Sequence, residues 1–213
     1  MRVPRTVGRV LLAATWDLGE GGFRPSPATV ARALRRIGAD VVVLSGGRTN
    51  AAQQLARGAE YSHVDDGASR AGGGPPMVLS RWPLRDPQRR QLLSGAVTGL
   101  LVEAPTGSVA LVAARQLTAP DAGPEDGEQV VKLLARGTCG LLAGNLGMDP
   151  SNGWWPTPQL GAAATGGWGS WRSVAATSRA RGVLLYRLWD RGGGSYPAPG
   201  GGTIHWARAA TCH

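Results

Sequence analysis

At 213 residues the chain has the length of a single domain, 1–213, with a sizeable core, and 42% hydrophobic content excludes a disordered polymer. Its formal charge of +9 is carried almost wholly by arginine, Lys132 being the only lysine. A basic protein of this kind fits phosphate backbones or acidic surfaces, and its scattered arginines fit a GC-rich coding sequence equally well.

Arg9–Trp16 reads as a first buried strand, followed by Asp17 and a glycine-rich loop, Gly19–Gly22. Ser26 or Pro27 opens a helix to Ile37, with Val30, Leu34 and Ile37 on one face and Arg32, Arg35 and Arg36 on the other; Gly38 stops it. Asp40–Leu44 is a β-branched core strand. Strand, helix and strand in that order argue for an α/β fold. Arg48–Arg57 is expected as a short helix, Glu60–Val64 as a strand, and Met77–Leu84 as a strand running into a turn at Pro83. Leu92–Leu93 is a further short strand candidate. Val97–Glu103 and Ser108–Ala113 flank a Pro/Gly turn and form a hairpin. Asp126–Arg136 is an amphipathic helix with Val130, Leu133 and Leu134 facing inward.

Cys139–Ala143 is a buried strand that breaks at Gly144, and the polar turn after it carries Asn145, Gly147 and Asp149-Pro150. Residues 151–178 read as a long loop holding Trp154, Trp155, Trp168 and Trp171, which staple the loop to the body or, less favoured, stack on bases. Gly182–Trp189 is a strand, a Gly/Pro loop follows, and Thr203–Ala210 closes the chain as a last strand. His63, Asp65 and Asp66 are read as solvated loop residues rather than a metal site. The two cysteines, Cys139 and Cys212, do not make a disulfide framework, and Cys139 is expected as a small buried residue. No run approaches the roughly 20 apolar residues of a membrane span. Val10–Ala14 is too short for the core of a signal peptide. The expectation is a cytoplasmic monomer without membrane contact.

The stretch Leu141–Pro150, LLAGNLGMDP, resembles the GDFN-x-DP strand end of the endonuclease/exonuclease/phosphatase superfamily, the metal-dependent phosphodiesterases related to DNase I. Ala39–Gly46, ADVVVLSG, resembles that family's ADVV-x-LQE strand, and Met77–Leu84, MVLSRWPL, its AILSRFPI strand and turn. Gln129 and Leu133 stand where its R-x-x-Q-x-x-x-L helix has them, and the closing strand resembles SDH. These matches run in order over nearly the whole chain. The resemblance implies a four-layer α/β sandwich in which two mixed β-sheets pack face to face with helices outside. It also implies hydrolysis of phosphate esters at a divalent ion, usually Mg²⁺, held by carboxylates.

The frame is kept while most of the chemistry is replaced. At the family's functional positions stand Asp17 for Asn, Gly46 for the metal-binding Glu, and Gln116 for His. Asn145 and Gly147 replace the GDFN pair, Arg181 replaces the Asp that partners the catalytic His, and Ile204 replaces the SDH Asp; only His205 is kept. Asp17 and Asn145 are the weak metal candidates, and one carboxylate with one amide makes a poor Mg²⁺ site. The resulting expectation is a pseudoenzyme that needs no cofactor and binds phosphate or nucleic acid without cutting it, with Arg181 as the phosphate-binding candidate. The alternative is a Mg²⁺-dependent phosphodiesterase or phosphatase with a rearranged site built on Asp17, His205 and either Asp149 or Asp190. Asp17 as a turn cap or partner of Arg181, Asn145 as a loop tie and His205 as a hydrogen-bonded structural residue are the plainer readings. The natural ligand and any protein partner are not legible.

Overall fold

The computed structural model describes residues 10–18, 25–46, 51–67, 76–93, 95–105, 107–115, 124–137, 139–146, 172–173, 181–186, 189–199 and 202–210. In chain order the elements are β1 (Val10–Asp17), α1 (Pro27–Ile37), β2 (Val41–Ser45), α2 (Ala52–Ala59), β3 (His63–Asp65), β4 (Met77–Ser80), β5 (Leu84–Gln91), β6 (Ala96–Ala104), β7 (Gly107–Arg115), α3 (Pro124–Leu134), β8 (Cys139–Asn145), β9 (Arg172–Ser173), β10 (Arg181–Tyr186), β11 (Trp189–Pro197) and β12 (Thr203–Ala210). They form two six-stranded sheets, ordered β11-β12-β1-β2-β4-β3 and β5-β6-β7-β8-β10-β9. Each sheet is mixed: β1 runs parallel to β2 and antiparallel to β12, and β7 runs parallel to β8 while β10 opposes it.

Alternation along the strands sorts their apolar residues into layers. Leu11, Ala13, Val41 and Val43 face Leu111, Ala113, Leu141 and Ala143 in a core between the sheets. The opposite side of the first sheet packs Ala14, Trp16, Val42 and Leu44 against Leu34, Ile37 and Leu55 of α1 and α2. The outer side of the second sheet packs Val112 and Leu142 against Val130, Leu133 and Leu134 of α3. The result is the four-layer α/β sandwich expected from the sequence. α1 starts where Ser26 accepts a hydrogen bond from the Thr29 amide at 3.2 Å and ends at Gly38 in the left-handed conformation. The Tyr61 hydroxyl donates to the Ala39 carbonyl at 3.0 Å, pinning the entry to β2.

Several elements depart from the sequence reading. Glu60 is not in a strand; it caps α2 with φ 64, and β3 begins only at His63. Leu92–Leu93 belongs to a turn, in which the Leu92 amide donates to the Gly95 carbonyl at 2.7 Å. Two edge strands went unread. β5, LRDPQRRQ, has no apolar alternation; it exists by pairing with β6 and carries a register shift between Arg85 and Gln88. Charge, a proline and a bulge are what keep an exposed edge from recruiting another strand. β11 occupies the Gly/Pro stretch read as a loop and pairs with β12. The tryptophans of 151–178 lie outside the described residues; within that stretch Arg172–Ser173 forms β9, paired with β10.

Asp65 is not solvated. Its side chain is 7% exposed and takes two hydrogen bonds at 2.8 Å from the Arg89 guanidinium on β5. It also accepts the Gly67 amide at 2.9 Å. This pair joins the edge strands of the two sheets. Cys139 is fully buried, but it is disulfide-bonded rather than a free small residue. The chain's other cysteine, Cys212, lies outside the described residues.

Gly144 shows how closely β7 and β8 approach. Its φ is +132, and a Cβ built there would overlap the Ala114 carbonyl oxygen. Only glycine takes that conformation and that proximity at small cost.

Candidate functional site

The parallel strands β1 and β2 deliver their C-terminal ends together, with Asp17 in register with Ser45. β12 arrives antiparallel beside β1, placing His205 opposite Thr15 and Ile204 opposite Trp16. On the second sheet, β8 ends at Asn145, β7 ends at Arg115, and Arg181 opens β10 opposite Asn145. β1 packs against β8 and β10, and β10 against β12, so these strand ends rim one end of the sandwich.

The strand period decides which of these residues face the cleft between the sheets. Leu11 and Ala13 lie in the inter-sheet core, so Thr15 and Asp17 continue that face. By the same count Ser45 follows Val43, His205 precedes Ala207 and Ala209, Asn145 follows Ala143, and Arg115 follows Ala113. Thr15, Ser45 and His205 are each only 3% exposed. Asp17, Arg115 and Asn145 are half-buried. The Ser45 hydroxyl has no hydrogen-bond partner among the described residues, a costly state for a buried oxygen.

Ile204 lies on the other face. It is fully buried in the layer beneath the helices, where an aliphatic side chain adds to the core and reaches nothing in the cleft. Gly46 follows β2 with φ 73 and offers no side chain. Asp190 is removed from this end: it pairs with Ala209, which is in register with Leu11, six residues below Asp17 and so about 20 Å away at the rise of a strand. A rearranged site cannot draw on it. Gln116, Gly147 and Asp149 lie outside the described residues.

The structure therefore brings together Asp17, Asn145, His205 and the backbone of Arg181, and it adds Ser45 and Arg115. The sequence signal for both additions was present. Counting in twos from the apolar residues of β2 and β7 puts Ser45 and Arg115 on the core-facing side.

Mg²⁺ requires oxygen ligands, with one or two carboxylates as its usual protein anchor. Among the described residues of these strand ends, Asp17 is the only carboxylate. No group of three or more His, Cys, Asp or Glu is placed among the described residues to hold a metal ion. With glycine at 46, an amide at 145 and Ile204 turned into the core, the described residues of these strand ends do not by themselves fit the ion implied by the resemblance. No described helix is long and apolar enough to cross a membrane.

Residues 14–204 match the Endonuclease/Exonuclease/phosphatase family. No curated protein matches the sequence. Solved structures match over nearly the whole chain. An endonuclease/exonuclease/phosphatase from Bacteroides vulgatus superposes with TM-score 0.70 at 8% identity, covering 96% of this chain and 100% of its own. An endonuclease/exonuclease/phosphatase family protein from Bacteroides thetaiotaomicron gives TM-score 0.71 at 9% identity, covering 95% of each chain. Humanized D. rerio TDP2 gives 0.61 at 12% identity, covering 95% of this chain and 99% of its own. At such identities the superpositions speak for the fold alone. The family match extends from within β1 to within β12, the two strands that meet at the cleft, and the chain belongs to the endonuclease/exonuclease/phosphatase family.

Proposed function

We propose that this chain is a non-catalytic member of its family, whose cleft binds a phosphate-bearing ligand without hydrolysing it. Nucleic acid is the ligand class that its +9 charge best fits. The observation that carries the reading is the donor set at the strand ends: glycine at 46, an amide at 145 and an arginine at 181 stand where the family has the ligands and the carboxylate partner of its chemistry. An arginine in place of that carboxylate suits a phosphate oxygen better than a metal ion.

The test is calorimetric titration of Mg²⁺ and Mn²⁺, followed by nuclease and phosphatase assays in the same buffers. The expected result is no saturable metal binding and no turnover. Binding of nucleic acid or phosphate should weaken in Arg181→Ala. Saturable metal binding, with turnover abolished by Asp17→Ala or His205→Ala, would overturn the reading and establish a rebuilt hydrolase.

The disulfide at Cys139 also bears on where the protein works. Disulfides persist in oxidising compartments and are rare in the cytosol. This supports an oxidising location over the cytoplasmic one expected from the lack of a signal-peptide core and of a membrane-length apolar run.

A further inference from the structure

The helical layer outside the first sheet carries charge of nearly one sign. α1 and α2 bury Val30, Leu34, Ile37 and Leu55 and leave Arg32, Arg35, Arg36 and Arg57 exposed. Over residues 25–39 and 51–61, Glu60 is the sole carboxylate. The two helices meet closely, because a Cβ built on Gly58 would stand 3.0 Å from the Ala31 Cβ. Arg32 adjoins Ala31, Arg35 follows it by one turn, and Arg57 adjoins Gly58. The four guanidiniums therefore belong to one surface that spans both helices.

Arginines on the second sheet's side are matched by carboxylates: Arg85 by Glu103, Arg89 by Asp65 and Arg136 by Asp86, while α3 sets Lys132 against Glu128. No ion pair engages Arg32, Arg35, Arg36 or Arg57 among the described residues. Codon usage alone gives no reason for that sorting. Arg35, Arg36 and Arg57 each sit in a last turn and complement the helix dipole; Arg32 does not. Like charges three and four residues apart repel, so Arg32 opposes both Arg35 and Arg36, and an anionic partner relieves that repulsion. The face also lacks an apolar anchor. Among the described residues Leu93 is the only exposed large hydrophobic, and it lies beside α3, where its amide donates to Asp126. An interface with an apolar core, or a helix seated in lipid, needs such anchors; a phosphate backbone does not.

We infer that the α1–α2 face binds the phosphate backbone of nucleic acid, without reading its bases, at a surface apart from the cleft. Each guanidinium offers a fork of paired donors to phosphate oxygens. Contacts of that kind position a backbone and carry no sequence information. Gln53 and Gln54, also exposed on α2, place neutral donors beside the arginines. The helices pack on the outward side of the first sheet, and the inter-sheet core and the strand-end cleft lie on its other side. The inference needs neither Arg181 nor a ligand in the cleft, so the two readings can fail separately.

The experiment follows the fluorescence anisotropy of a labelled DNA duplex of about 20 base pairs, in EDTA, between about 50 and 200 mM salt. The combined variant Arg32→Gln, Arg36→Gln, Arg57→Gln removes three charges from this face and keeps good helix formers. A control, Arg85→Gln, Arg90→Gln, Lys132→Gln, removes the same charge from exposed positions on the second sheet's side. The helix variant should bind about 10- to 100-fold more weakly at the low-salt end, and its salt slope should fall by about 2–3. The control should stay within about threefold of the unsubstituted protein, and duplexes of unrelated sequence should bind alike. Thermal melts establish that both variants fold; if the helix variant does not, Arg32→Gln alone decides, with a slope lower by about one. Equal losses in the two variants, no loss in the helix variant, or no duplex binding by the unsubstituted protein overturns the inference. A loss confined to phosphatidylserine vesicles, with duplex binding unchanged, also overturns it and assigns the face to a membrane surface. Duplex binding that falls in Arg181→Ala but not in the helix variant leaves the cleft reading standing alone.

Discussion

Replacing Gly144 by alanine puts a methyl group where the β7 backbone already is. Two costs can be separated. The first is conformational: φ +132 is a region that side-chain-bearing residues enter at about 1–3 kcal/mol. The second is steric. The new Cβ would overlap the Ala114 carbonyl oxygen and stand 3.0 Å from its carbon and 3.1 Å from its nitrogen. These are backbone atoms in a parallel ladder, so β7 and β8 must part, at about 1–3 kcal/mol for forced displacement in a packed interior. The sum, about 2–6 kcal/mol, is a large share of the 5–15 kcal/mol typical of a domain. Gly38→Ala is the control, because Gly38 has φ +68 and nothing within 4 Å of its built Cβ. That variant meets only the conformational cost, about 1–2 kcal/mol. Urea unfolding of the two variants, followed by fluorescence and circular dichroism, isolates the steric part. If Gly144→Ala loses no more stability than Gly38→Ala, the close approach of β7 and β8 is wrong.

Three further outcomes follow from the packing. Arg89→Ala leaves the Asp65 carboxylate buried with the Gly67 amide, and should cost about 1–2 kcal/mol, less than a fully buried pair because the Arg89 side chain is 37% exposed; a double-mutant cycle with Asp65→Ala that shows no coupling would refute the pairing. Burial pushes the Tyr61 phenol well above its ordinary value of 10, although Arg81 opposes this, so the unfolded chain ionises first as pH rises. The stability held by the neutral phenol is complete below pH 10 and is lost above it, and Tyr61→Phe should flatten the alkaline decline in melting temperature. Reduction of the protein, or Cys139→Ala, should lower stability by about 2–4 kcal/mol, and an unchanged melt in reductant would remove the structural case for an oxidising compartment.

The parts of the fold legible in the sequence are those whose burial is written in their own residues. β1, β2, β8 and β12 are apolar runs or alternations, and α1 carries a cap, a stripe and a glycine stop. β5 and β11 carry no such record. Arg85, Arg89 and Arg90 on one, and Gly193 and Gly194 on the other, become strands only because β6 and β12 offer hydrogen bonds at the sheet edge. Asp65 was misread for a related reason: its partner Arg89 lies 24 residues on, and no local pattern joins them. The cleft was half legible. Motif order located Asp17, Asn145, Arg181 and His205, while Arg115 and Ser45 emerge only when neighbouring strands are set in register. Ile204 was counted as a lost carboxylate, and the structure gives the substitution a use, because an aliphatic residue at that position completes the layer under the helices.

The Asp65–Arg89 clasp has a mechanical consequence. The sheets touch across a broad apolar interface that any two slabs could share while sliding or tilting. An ionic tie between β3 and β5 fixes one margin against such sliding. At the opposite margin, where β11 and β9 are the outermost strands, the sheets meet through the packing of β10 on β1 and β12. Salt weakens an ionic tie more than an apolar contact. Ionic strength would then act on this protein twice, by screening a charged ligand and by weakening the tie at this margin.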